Sequence, residues 1–66
     1  MVVKSNLMDI RIYEYQEGLQ EFSERIGVHY KTYYNWETGA TRPTLAKALE
    51  VAKTLQKPVD DIWYLE

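Results

Sequence analysis

Five residues, Gly18, Gly27, Gly39, Pro43 and Pro58, cut this chain into short pieces, and no interval between them is long enough for a long helix. Whatever forms between the breaks must therefore bury its apolar residues by packing several short elements on one another. At 66 residues there is room for one domain, spanning 1–66. A chain of this size buries only about 60% of the surface its unfolded state exposes, so its core has to be well idealised. Cysteine is absent, which excludes disulfides, thiolate zinc sites and cysteine nucleophiles. One histidine is too few for a His-based metal cluster. No Gly-rich phosphate loop and no nucleophile–His–acid set occurs, so the sequence predicts no catalysis, no cofactor and no metal. No apolar run approaches the roughly 18 residues of a membrane span. The opening Met-Val-Val-Lys-Ser-Asn lacks the apolar stretch of a signal peptide, so a cytoplasmic location is expected.

Each piece reads as a short helix. Ser5 and Asn6 are good N-cap types ahead of Leu7, Met8, Ile10 and Ile12, although Ile10, Ile12, Tyr13 and Tyr15 would also suit a strand. Gln20 to Ile26 places Phe22 and Ile26 on one face, and Gly27 supplies a turn. In Val28 to Trp36 the tyrosines favour strand, yet Val28, Thr32 and Trp36 recur every four residues, with Thr32, Tyr33 and Trp36 turned inward. Thr44 can cap a helix whose Leu45, Ala48, Leu49, Ala52 and Leu55 share a stripe. Pro58 suits the first turn of a last helix, with Asp60 and Asp61 at its positive end and Val59, Ile62 and Trp63 facing the core. The predicted fold is all-α, five short helices of seven to twelve residues around Leu7, Ile10, Phe22, Ile26, Val28, Trp36, Leu45, Leu49, Ala52, Leu55, Val59 and Ile62. A short helix, a Gly turn and another short helix over about 19–36 make a helix-turn-helix arrangement.

The net charge of −2 argues against nucleic acid as a partner, but it conceals a gradient. Residues 1–24 set Lys4 and Arg11 against five acids, whereas residues 25–42 set Arg25, Lys31 and Arg42 against Glu37 alone. Only the middle third is positive. Glu14, Glu17, Glu21 and Glu24, at spacings of three and four, read as a solvated acidic face.

The order of segments resembles the Cro/repressor-type helix-turn-helix proteins of phages and bacteria, the Xre family. The resembling residues are Phe22-Ser23-Glu24-Arg25-Ile26-Gly27-Val28, Thr32-Tyr33-Tyr34-Asn35-Trp36-Glu37-Thr38-Gly39 and Arg42-Pro43-Thr44, followed by Leu45-Ala46-Lys47-Ala48-Leu49 and Val59-Asp60-Asp61-Ile62-Trp63. The likeness covers roughly residues 7–63. It implies a lambda-repressor-like domain and a sequence-specific, double-stranded-DNA-binding transcriptional regulator, a repressor, phage-borne or chromosomal. Three departures stand out. Gly18 and Leu19 replace the family's hydroxyl and Gln at the start of the second helix, and Ala40 stands where a Lys or Arg often touches phosphate. The stretch between Arg11 and Phe22 is one residue longer than in common members. These departures and the acidic total favour an alternative, a protein-interaction module such as an antitoxin or anti-repressor that binds DNA weakly or not at all.

The resemblance puts the recognition helix at about 29–36 in the major groove. Lys31 can donate to guanine O6 or N7, and Asn35 can pair bidentately with adenine. Tyr30 can press its ring on a thymine methyl or give its hydroxyl to a phosphate, and Tyr34 points outward beside it. Phosphate candidates are the backbone N–H groups near Leu19 and Gln20, together with His29, Thr38, Thr41, Arg42 and Thr44. Arg11 and Glu37 occupy the family's structural salt-bridge positions. One recognition helix spans too few base pairs to select a site, so a homodimer on a pseudo-palindromic operator is expected. Trp63, Tyr64 and Leu65, more large apolar groups than one small core can bury, are its expected interface.

Overall fold

Gly27 and Gly39 take φ of 77° and 85°, in the left-handed region that a Cβ disfavours, and each ends one helix of a consecutive pair. The computed structural model describes residues 1–66. Its five helices are α1 (Leu7–Asp9), α2 (Leu19–Arg25), α3 (Tyr30–Thr38), α4 (Leu45–Leu55) and α5 (Val59–Ile62). Two short strands join them: β1 (Val3–Ser5) pairs antiparallel with β2 (Trp63–Leu65), Val3 opposite Leu65 and Ser5 opposite Trp63. Val2 and Glu66 extend the ladder through reciprocal N–H···O bonds of 3.0 and 2.9 Å. Three-residue strands carry almost no sequence pattern; this pair exists because the fold brings the two ends of the chain together. Trp63 accordingly leaves α5 after a single turn instead of continuing it.

The first helix departs from expectation in two ways. Neither Ser5 nor Asn6 caps it by side chain: Ser5 Oγ donates to the Trp36 carbonyl at 3.4 Å, and Asn6 Nδ2 donates to the Asp61 carbonyl at 3.1 Å. With Asn6 N–H bonded to Ile62 O at 2.8 Å, these contacts clamp the start of α1 to the end of α5. Beyond Asp9 the helix widens into a π-helical stretch, Ile10–Tyr15, closed by Gln16 in the left-handed region. A π turn bonds i to i+5 and holds one residue more than an α turn. Arg11 lies within this stretch and reaches Glu37.

Leu7, Ile10, Phe22, Ile26, Tyr33, Trp36, Val51, Ala52, Leu55 and Ile62 form the core, with Val28, Val59, Tyr15, Leu19 and Trp63 packed against its edge. Phe22 stacks edge-on to Tyr33 at 5.4 Å and Trp36 to Trp63 at 6.3 Å. Leu45 and Leu49, expected inside, are 73% and 51% exposed. The buried stripe of α4 is Ala48, Val51, Ala52 and Leu55. At 100° per residue, Leu45 and Leu49 lie about 70° and 110° from the centre of that stripe. Spacings of three and four fit both stripes, so periodicity alone could not choose between them. No helix is long and apolar enough to cross a membrane.

Candidate nucleic-acid interface

The inner face of α3 is held by packing and by one ion pair. Tyr33 is fully buried and Trp36 nearly so. Arg11 donates through Nε to Glu37 Oε2 at 2.8 Å and through Nη2 to Oε1 at 3.3 Å, while its Nη1 reaches the Glu17 carbonyl at 3.0 Å. The two side chains are only 13% and 6% exposed. The Glu37 carboxylate holds the Arg11 guanidinium above its usual pKa. This is the bridge expected from the family likeness, and it fixes α3 to the helix ahead of α2 by a two-point fork that resists rotation. The Tyr33 hydroxyl donates to Leu7 O at 3.4 Å. Burial, and then the neighbouring Glu37 carboxylate, pushes its pKa well above the usual tyrosine range.

The N-terminus of α3 is capped by His29, whose Nδ1 accepts from Lys31 N–H at 3.2 Å and whose ring stacks on Tyr30 at 4.9 Å. A neutral His29 accepting at Nδ1 carries its proton on Nε2, which leaves an N–H directed away from the helix. Tyr30, Lys31 and Tyr34 are exposed and Asn35 is half-buried. The hydrogen bonds at Asn35 run to its carbonyl, from Thr38 Oγ1 and Thr41 N–H at 3.2 Å each. Its side-chain amide is left without a partner in the protein. Thr32, expected inward, is exposed; it lies between Asn35 and Trp36 around the helix and faces the start of α4.

Two clefts flank this outer face. One, between α3 and the start of α4, is polar: Thr32, Asn35, Thr41, Arg42, Thr44 and Lys47 line it together with Trp36 and Pro43, and no carboxylate does. Thr44 caps α4 by accepting from Lys47 N–H at 3.2 Å, which directs the first turn of an eleven-residue helix at the same opening. The other cleft, between the start of α2 and α3, is largely apolar, formed by Leu19, Tyr30 and Tyr34 with Lys31 and Asn35 at its rim.

The residues named from sequence thus divide. Thr41, Arg42 and Thr44 come together, and Lys47 joins them, its Nζ 3.8 Å from the exposed Glu50 carboxylate; a charge reading that found only the middle third positive did not point to it. Thr38 donates its hydroxyl to Asn35 O and accepts from Ala40 N–H at 3.4 Å, a pairing that closes α3. At the start of α2, Gly18 N–H donates to Glu21 Oε1 at 3.2 Å. That places a carboxylate at the helix end where the Leu19 and Gln20 amides were expected to meet phosphate. Gln20 Nε2 donates to Glu24 Oε2 at 3.2 Å. Arg25, counted with the positive third, is neutralised by Glu17 through two 2.8 Å bonds and lies over the Tyr15 ring.

Trp63, Tyr64 and Leu65 form a strand, with Trp63 half-buried against Trp36 and the other two exposed. With Val3 and Asp60 they line a mostly apolar hollow, and Val3 and Trp63 also line a second one that reaches Leu45, Pro43 and Arg42.

A short helix, a left-handed glycine turn and a second helix anchored behind and unpartnered in front define a helix-turn-helix domain. The chain belongs to the Xre-type helix-turn-helix family: the HTH_3 family model, described as Helix-turn-helix, matches residues 9–62. Its five helices are those of the lambda-repressor-like fold. The family is one of DNA-binding transcription regulators that act on double-stranded DNA, and it is not a family of enzymes. No curated protein matches the chain.

Proposed function

We propose that this protein is a sequence-specific repressor that lays α3 in the major groove and binds a pseudo-palindromic operator as a homodimer. The observation that carries the reading is the outer face of α3. On a chain of net charge −2, it offers an unpartnered amide and a free lysine beside a cleft holding Arg42 and Lys47 and no acid. Lys31 and Asn35 then read base edges, while Arg42, Lys47, Thr41 and the His29 Nε2–H meet phosphates. The apolar surface around Val3, Leu45, Trp63, Tyr64 and Leu65 adjoins the polar cleft at Arg42 and Pro43, which suits a dimer contact lateral to the DNA.

Selection of bound sequences from random duplexes, followed by titration at several salt concentrations, tests this reading. It expects an enriched site with two-fold symmetry and an affinity that falls steeply with salt. Equal retention of all sequences would refute it. Glu21 at the start of α2 favours the antitoxin or anti-repressor reading, which expects no salt-dependent shift of duplex DNA. Sedimentation of the wild type and of a Tyr64→Ser, Leu65→Ser variant, with and without the selected site, tests the dimer. Loss of dimer in the variant is expected, and a wild type that stays monomeric on its site would overturn that part.

A further inference from the structure

Leu19 is the chain's departure from its family at the start of α2, and the structure gives it a specific setting. It is half-buried at the core's edge and forms one wall of the apolar cleft whose other wall is Tyr30 and Tyr34. The tyrosines are one helical turn apart, 40% and 50% exposed. Lys31 and Asn35, also one turn apart, border the same cleft. An apolar hollow therefore lies directly beside the one free amide on the outer face of α3.

The major-groove edge of an A·T pair has the same two-part character. Adenine offers N7 and N6–H, which a carboxamide can engage bidentately, and thymine offers its O4 and an apolar 5-methyl. Water between the Leu19 wall and the two tyrosine rings meets mostly apolar surface, so a methyl group that replaces it there is favoured. Charge agrees, since the cleft lining includes Lys31 and no acid, and Asn35 also lines the cationic cleft on the other side of α3. Given the DNA-binding reading above, on which this rests, we infer that the Leu19–Tyr30–Tyr34 cleft receives the 5-methyl of a thymine next to the adenine engaged by Asn35. Leu19 is then a specificity residue that acts by shape and apolar contact, where an amide at the same place would bind phosphate.

Uracil is thymine without the methyl and keeps every hydrogen-bonding group, so it isolates the contact. The full chain is first given a pool of random duplexes to obtain its preferred site. Each thymine in one half-site is then replaced singly by uracil and the Kd measured. Burial of one methyl corresponds to about fourfold in affinity. One position per half-site should show that loss, and the loss should vanish in Leu19→Ala and in Tyr34→Ser. Tyr34 is surface-placed, so its variant keeps the test open if Leu19→Ala fails to fold. An enriched site at which every uracil is neutral, or a uracil penalty that survives both substitutions, overturns the cleft assignment and leaves DNA reading intact. A pool with no enriched sequence overturns DNA reading itself, and the cleft assignment with it.

Discussion

The two faces of α3 are built from the same kinds of residue and are put to opposite use. Inward, Tyr33 and Trp36 are buried, and the Tyr33 hydroxyl and the covered Glu37 carboxylate are paired within the protein; outward, Tyr30, Tyr34 and Asn35 are exposed or half-exposed and have no protein partner for their polar ends. Tyrosine, a large ring and an acid or amide appear on both. What separates them is where the rest of the molecule stands. A hydrogen bond formed within the protein stabilises the fold and is lost to any ligand, while an amide left free on a rigid helix costs nothing to present. The inner face makes the outer one precise: the Arg11–Glu37 fork and the Tyr33–Phe22 contact prevent α3 from rolling. Substitutions on one face should therefore change folding, and those on the other should change binding alone.

The sharpest attack on that division is Glu37→Ala. It strands a largely buried guanidinium, which costs about 3–5 kcal/mol in the fully buried limit, much of the roughly 5–15 kcal/mol that holds an ordinary domain together. Thermal or urea unfolding should show a severe loss of stability, with DNA binding lost as a consequence. A melting temperature equal to that of the wild type would mean that the fork does not anchor α3.

Asn35→Ala should do the reverse. Binding to the selected site should weaken by about 1–3 kcal/mol and preference should relax at one base pair, with an unchanged melting temperature. Lys47→Ala, on the phosphate side, should weaken all sequences alike and reduce the salt slope by about one. A sequence-specific effect of Lys47→Ala would erase the distinction between the two clefts.

Tyr33→Phe is milder and tests the inner face by pH. The hydroxyl's hydrogen bond is worth about 0.5–1.5 kcal/mol near neutrality. Because the folded-state pKa of Tyr33 is raised, the wild type keeps its full stability below the unfolded value of about 10 and loses it as pH rises further. The stability gap between wild type and Tyr33→Phe should close above that pH in alkaline unfolding curves.

The smallest effect is expected from the other fork. Arg25–Glu17 has shorter bonds than Arg11–Glu37, but its arginine is 44% exposed, and solvent screens it. Glu17→Ala should lower the melting temperature far less than Glu37→Ala. Its pH signature is opposite to that of Tyr33. Arg25 holds the Glu17 carboxyl below the usual range, so the contribution is present above the unfolded pKa of about 4.3 and is lost as pH falls through the lowered value. Wild type and Glu17→Ala should converge in acid. If the two forks prove equal, geometry and not burial governs their strength.

Much of this site could be read before any coordinates. Gly27 and Gly39 announced the turns, the order of motifs announced α2 and α3, and Arg11 and Glu37 were paired across the chain by family likeness. Legibility failed wherever a residue's role depends on a neighbour far away in sequence. Leu45 and Leu49 satisfied the same spacing as the true stripe of α4. Lys47 was hidden in an acidic segment, and Arg25 looked free until Glu17 met it. The strand pair could not be read because six residues from the two chain ends carry no alternation long enough to register.

What the sequence determined by itself is therefore local: where helices begin and break, which residues can cap them, and a family pattern that sets the order of parts. Those properties depend on backbone torsions and on neighbours within a turn or two. The tertiary structure decided which stripe of α4 is buried, that Arg25 is taken up by Glu17, and that Leu19 lies across a cleft from Tyr34. Burial and pairing are properties of surfaces brought together, and the same side chain is core, clamp or reader according to what the fold places opposite it.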